Sequence, residues 1–252
     1  MLANDLAVEL RPRPPGEAAD LGVRLVQHCA ASMVRTVGPL YLVLVVVCMN
    51  MAVVSPFLPM FLLFWLKPWL DRSLLFVLSR ALFGQPTRFR DLWQAQRTVW
   101  WASVWRTLTL GRLSWRRSFT LPIEQLEGQQ GQALRLRRSA LLSGQQGGGY
   151  FLQLHFGGME KVLFCAILIL PWVFLPWSIL PDVFDGMLQQ GSSIEAGLLE
   201  SAWLVVLLNL AYACVVGFLE PFFVGAGFGL YLNRRIQLEG WDIEQDLRRA
   251  FG

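Results

Sequence analysis

Charged and apolar residues are segregated along this chain into long blocks, and the blocks predict helices. From Thr36 to Leu66 no residue is charged, a run of 31 positions. As one straight helix it would measure about 46 Å at 1.5 Å per residue. A hydrocarbon core of about 30 Å takes only about 20 residues. Ser55-Pro56 and Pro59 interrupt the run, and a residue before proline resists α geometry. The pattern therefore predicts a helical hairpin over residues 37–82: a span from about Val37 to Val54, a tight turn over Ser55–Pro59, and a return helix from near Phe57. The return helix carries Lys67, Asp71, Arg72 and Arg80. Charges at the bilayer centre are costly, but Lys67 and Asp71 stand four apart and can share one helix face. A full crossing with this stripe turned towards other helices is the favoured reading, and a re-entrant half-helix is the alternative.

Two further apolar runs follow. Val162–Pro181 has 20 residues without a charge and contains Pro171, Pro176 and Pro181. Ser201–Leu232 is interrupted only by Glu220-Pro221, and fits one long, kinked span. The segment 158–233 thus supplies two more spans, for about four in all. Between the hairpin and this pair, residues 83–157 interleave tryptophan with arginine. Trp93, Arg97, Trp101 and Trp105 recur at four-residue spacing, as expected of an in-plane helix on a membrane surface. A second basic helix is predicted over Gln132–Ser143, with Gly144 as its stop and Ser143–Gly149 as a flexible linker. Asp242 and Gln245 form a capping-box pattern that opens a small amphipathic helix within residues 234–252.

Composition places these elements in a membrane. Hydrophobic residues make up 54% of the 252 and charged residues 16%, well under the roughly 25% charge of soluble chains. Disorder is excluded by the apolar content, and a disulfide scaffold by size and four cysteines. The fold class is all-α, a polytopic membrane helical bundle with in-plane amphipathic helices. Residues 1–36 have no apolar signal pattern and read as a retained N-terminal segment. The net charge of +4 is unevenly spread. Residues 67–157 hold 13 basic and 4 acidic groups, while residues 182–200 hold four acids and no base. The positive-inside rule makes the first stretch cytoplasmic and the second external, so the C-terminus is cytoplasmic. With a true hairpin the N-terminus is cytoplasmic too; with a single span it is external.

Candidate chemistry is sparse. His28 and His155 form no metal motif, Cys29, Cys48, Cys165 and Cys214 are scattered, and neither a nucleotide loop nor a nucleophile elbow is present. No enzyme activity, metal or cofactor is expected. Glu220 stands out, because a carboxylate in an apolar run is a functional candidate by default. Lys67, Asp71 and Arg72 complete a candidate intramembrane polar site, with Lys161 a further candidate partner. Ala213, Gly217, Pro221, Gly225 and Gly229 recur every four positions, and such small residues let helices approach closely. Their partner is an internal helix or a second copy. Trp93, Arg97, Trp101, Trp105, Arg116 and Arg117 are expected to contact anionic lipid headgroups. Arginine with aromatics can also hold single-stranded nucleic acid, but the bilayer already accounts for both residue types, and no nucleic acid is expected.

Several strings carry a resemblance. They are KPWLDRSLLFVLSRALFG (67–84), LPIEQLEG (121–128), ALRLRRSALLSG (133–144), EPFFVGAGFGLYLNRR (220–235) and LEGWDIE (238–244). Together they resemble uncharacterised bacterial multi-pass inner-membrane proteins akin to the membrane domain fused to some glycerophosphodiester phosphodiesterases, without the catalytic domain. The resemblance implies a helical bundle with a cytoplasmic Glu-Gly turn before a basic helix, and no phosphodiester hydrolysis. The expected function is a non-catalytic inner-membrane module supporting an envelope or membrane-stress system through protein partners or a second copy. A small transporter or lipid-handling protein is the alternative.

Overall fold

A computed structural model describes residues 12–101, 108–109, 114–143, 147–174 and 202–240. The described residues are all-helical, with no strand among them. The order is α1 (Pro15–Asn50), α2 (Leu58–Leu82), α3 (Phe89–Gln94), a π-helical turn (Arg97–Trp101), α4 (Arg117–Gln125), α5 (Gly131–Leu142), α6 (Gly148–Phe174) and α7 (Ala202–Glu239). Three helices are long and apolar enough to cross a membrane: α1 with the 3-10 turn that extends it to Val53, α6 and α7. The acidic loop 182–200, the C-terminal helix after Asp242, Gly144 and Trp105 lie outside the described residues.

Local sequence explains most helix ends. Pro15 opens α1, where its fixed φ suits a first turn and its missing N–H costs nothing. No breaker follows before Pro39, and the helix runs unbroken from Pro15 to Asn50. The chain turns at Ser55-Pro56 and restarts at Leu58, with Pro59 in the tolerant first turn. Gly84 closes α2 at φ 65° while Gln85 N–H reaches the Arg80 carbonyl at 3.1 Å, a Schellman-type stop. Gly128, at φ 63°, makes the turn between α4 and α5.

Two expectations are revised. The tryptophan–arginine stretch is not one continuous helix. It breaks after Gln94 and resumes as the π-helical turn, because Trp100 rotates inward to join Leu92 and Val99 in a small core. The glycine linker gives way at its end to α6, which starts at Gly148. Gly149 packs there: a Cβ on it would lie 3.4 Å from Arg116 and Phe119 side-chain atoms.

The chain divides into two compact units. The first comprises residues 1–40, 66–156 and 220–252. Its core includes Leu25, Met33, Leu75, Leu78, Phe119, Ile123, Phe228 and Tyr231, all buried. The second comprises residues 41–65 and 157–219. It is thinly packed and exposes Val43, Val47, Phe61, Ile169, Val206 and Phe218.

Candidate functional site

The first unit buries ions at its centre. Lys67 and Asp71 lie one turn apart on α2, Arg117 opens α4, and Glu220 sits inside α7. Lys67 Nζ is 3.1 Å from Glu220 Oε2, and Arg117 Nη2 donates to Glu220 Oε1 at 2.5 Å. Arg117 Nε stands 2.8 Å from Asp71 Oδ2, close enough for an ion pair but at an angle that makes no hydrogen bond. None of these side chains is more than 6% exposed. Two cationic side chains face two carboxyl groups, so their formal charges match. That balance is what allows burial, since an unpaired ion would pay a desolvation cost of several kcal/mol. The Arg117 guanidinium also lies over the Phe223 ring, 5.1 Å from its centroid.

The four residues proposed from sequence therefore separate. Lys67, Asp71 and Glu220 come together. Arg72, only 2% exposed, turns elsewhere: its Nε donates to the Val99 carbonyl and its Nη2 to the Thr98 carbonyl at 3.1 Å. It thereby holds the π-helical turn to α2. Gln125 returns a bond from α4 to the Arg72 carbonyl at 2.8 Å. Lys161 is exposed.

Arg117 is the correction. Its place in a basic run suggested headgroup contact, but it is buried in the ionic cluster. The charge count does not mark it: Lys67, Asp71, Arg72 and Glu220 balance on their own, and only the turn of Arg72 towards the Thr98 and Val99 carbonyls leaves a carboxylate for Arg117 to answer. Arg116, its neighbour, is half-buried. Among the remaining residues expected to meet lipid, Trp93 and Trp101 are exposed at 53% and 69%, Arg97 is exposed, and Trp105 lies outside the described residues.

The small residues of α7 face α1 of the same chain. In the first unit, a Cβ on Gly225 would strike Val26 and stand 2.9 Å from the Gly22 carbonyl oxygen, and one on Gly229 would strike the Ala18 carbonyl oxygen. In the second unit, Gly217 would meet the Tyr41 ring at 2.7 Å, and the Tyr41 hydroxyl donates to the Ala213 carbonyl at 2.6 Å. Two small residues were not singled out from sequence. Gly22 is the facing half of this contact, and Gly227 admits Ser118 of α4, whose Oγ would lie 2.5 Å from a Cβ.

Asn209 was also missed. This buried side chain on α7 accepts from Met60 N–H at 3.0 Å and donates to the carbonyls of Pro56 at 2.9 Å and Val205 at 2.8 Å. A helix start leaves N–H groups without intrahelical partners, and Asn209 supplies one for α2.

A third set is partly exposed. Glu127 accepts from Arg137 Nε at 2.7 Å and from the Tyr231 hydroxyl at 2.7 Å. Arg137 also reaches Glu239, which Arg235 binds at 2.7 Å, while Arg138 pairs with Glu124. Burial pushes the Glu127 carboxyl up, but the hydrogen bonds from Arg137 and Tyr231 and the two nearby arginines override it and hold the carboxyl below its ordinary 4.5. Two arginines of the basic helix α5 are thus engaged by acids of the chain itself.

No three-residue cluster of histidine, cysteine or carboxylate able to hold a metal occurs among the described residues. No protein-family model, curated protein or solved structure matches the chain.

Proposed function

We propose that the chain is a non-catalytic, multi-pass protein of the bacterial inner membrane, in which α2 crosses alongside α1, α6 and α7, with both termini cytoplasmic. It serves as a membrane module that supports an envelope or membrane-stress system through protein partners. One observation carries this reading. The Lys67–Asp71–Arg117–Glu220 cluster is charge-balanced and buried within one unit, so its charges are answered by each other rather than by a ligand. That is the arrangement of a scaffold. The resemblance to membrane domains separated from their catalytic partners agrees with it. Extraction of the full chain in mild detergent, followed by identification and counting of what travels with it, tests the reading. A partner at fixed stoichiometry is the expected result; a chain that purifies alone overturns it. Insertion itself is read separately, by resistance of the chain to alkaline extraction from membranes.

A second reading has one observation in its favour. Both carboxylate oxygens of Asp71 and Nη1 of Arg117 are buried without a hydrogen bond. This unspent capacity is what a small transporter or lipid-handling protein would use to bind a proton or polar ligand. Uptake into vesicles that is lost in Asp71→Asn would favour that reading over the first.

A further inference from the structure

The stretch between Arg88 and Trp101 is built as a fixed base with outward side chains. Arg72 ties the π-helical turn to α2 through two carbonyls. Trp100 packs at 5.4 Å from the Trp69 ring and donates its indole N–H to Ser73 at 2.9 Å. Trp93 stands edge-on to Trp100 with centroids 5.7 Å apart, and Phe89 lies 6.2 Å from Trp93. From this base Phe89, Trp93 and Trp101 are exposed, and so are Arg88, Arg90 and Arg97. The only acid in the stretch, Asp91, is engaged by the Arg88 backbone N–H at 2.9 Å.

We infer that this platform docks on the anionic headgroups of the adjacent leaflet. The inference rests on the membrane reading above and adds the partner of this particular surface. Exposed indole and phenyl rings on a soluble surface would be a liability, whereas such rings sit favourably at the headgroup level. Arginines among them are attracted to anionic lipid near the surface. Charge selects the occupant: zwitterionic lipid satisfies the rings alone, and anionic lipid satisfies the rings and the three guanidinium groups. The platform is pinned before it binds, so little ordering entropy is lost on contact.

The test places the full chain in lipid nanodiscs containing brominated phosphatidylcholine or brominated phosphatidylglycerol at equal mole fraction. The Trp101 contribution to emission is taken as the difference between the native chain and Trp101→Phe. Quenching of that contribution by the anionic lipid is expected to exceed quenching by the zwitterionic one by about threefold or more. Replacing Arg88, Arg90 and Arg97 with glutamine should bring the ratio close to one, and replacing them with lysine should keep it high. Should the glutamine variant fail to fold, the native ratio in 0.5 M salt takes its place and must fall towards one. Equal quenching by both lipids overturns the inference. So does a Trp101 contribution that neither lipid quenches but that an acidic protein or single-stranded RNA does. Loss of co-purifying partners would instead count against the functional reading and leave this ratio unchanged.

Discussion

The two units solve opposite problems with the same kind of helix. The unit formed by residues 1–40, 66–156 and 220–252 takes charge inside, where Lys67, Asp71, Arg72, Arg117 and Glu220 are all buried. The described residues of the unit formed by residues 41–65 and 157–219 carry almost no charge. Among its described residues only Glu160 and Lys161 are ionic. Many of its large apolar side chains are exposed, with Val53 at 94% and Phe174 at 77%. In water this second unit would be the unstable one; in hydrocarbon it is the ordinary one, because lipid tails are as apolar as leucine. The lesson concerns what holds each together. The first relies on ions that must stay matched. The second relies on backbone groups that must stay satisfied.

The largest expected effect breaks the matching. Glu220→Gln leaves Lys67 and Arg117 facing a single carboxylate in a sealed site. Losing one partner of a buried ion pair costs about 3–5 kcal/mol. Thermal aggregation in detergent should show a large loss of stability and of folded yield. Lys67→Met combined with Glu220→Gln restores the balance and should recover most of that loss. A single variant as stable as the native chain would show that the cluster does not hold the first unit together.

The close approach of helices comes next. Gly225→Ile drives a branched side chain into Val26 and the Gly22 carbonyl, and overpacking of this kind costs about 1–3 kcal/mol. Gly157 of α6 is the contrasting site, since a Cβ there meets nothing within 4 Å. Gly157→Ala should be neutral or stabilising by up to about 1 kcal/mol, because alanine favours helix. Equal sensitivity at the two glycines would erase the difference between a packed face and a lipid-facing one.

These two results bear on what the sequence makes legible. The three helices long and apolar enough to span were readable because an apolar run of about 20 residues has few other uses, and the break between α1 and α2 because Ser55-Pro56 interrupts one such run. The four-residue stripe on α7 announced a close contact, but not its partner. Gly22 lies in a polar-looking stretch among Asp20, Arg24 and His28, and its role appears only when α1 is seen to start at Pro15 and run as one helix. Glu220 and Lys67 were visible as charges out of place. Arg117 was hidden by company: in a run of arginines, nothing local marks the one that turns inward. Trp100 was hidden in the same way among outward tryptophans, since a four-residue period cannot register a π-helical turn that shifts the face.

Asn209 probes the second unit alone. Asn209→Leu removes the acceptor for Met60 N–H and the donor for the Pro56 carbonyl. A buried backbone group left without a partner costs about 1–3 kcal/mol, and in hydrocarbon no water can replace it. The variant should lower stability by about 1–2 kcal/mol and increase proteolysis at the Val54–Phe57 turn in detergent. The leucine is more apolar than the asparagine it replaces. A gain in stability would therefore mean that apolar burial, rather than backbone satisfaction, governs this unit.

The smallest effect comes from charges of the first unit that reach water. The Glu127–Arg137–Glu239–Arg235 group has side chains between 11% and 27% exposed, so solvent screens it and its contribution is about 1 kcal/mol or less. Its pH dependence has a definite sign. The Glu127 carboxyl is held below 4.5 in the folded chain, so the folded state favours the ionised form. The stability this provides is complete above the unfolded value and is lost as pH falls through the lower, folded value. Arg137→Gln should therefore cost up to about 1 kcal/mol at pH 7 and very little once Glu127 is protonated in the native chain. Salt at 0.5 M should shrink the neutral-pH difference, while the loss caused by Glu220→Gln should persist, because that cluster is shielded from mobile ions. If salt relieved both defects equally, the buried and the wet ion pairs would belong to one electrostatic class, and the contrast between sealed and exposed charge would fail.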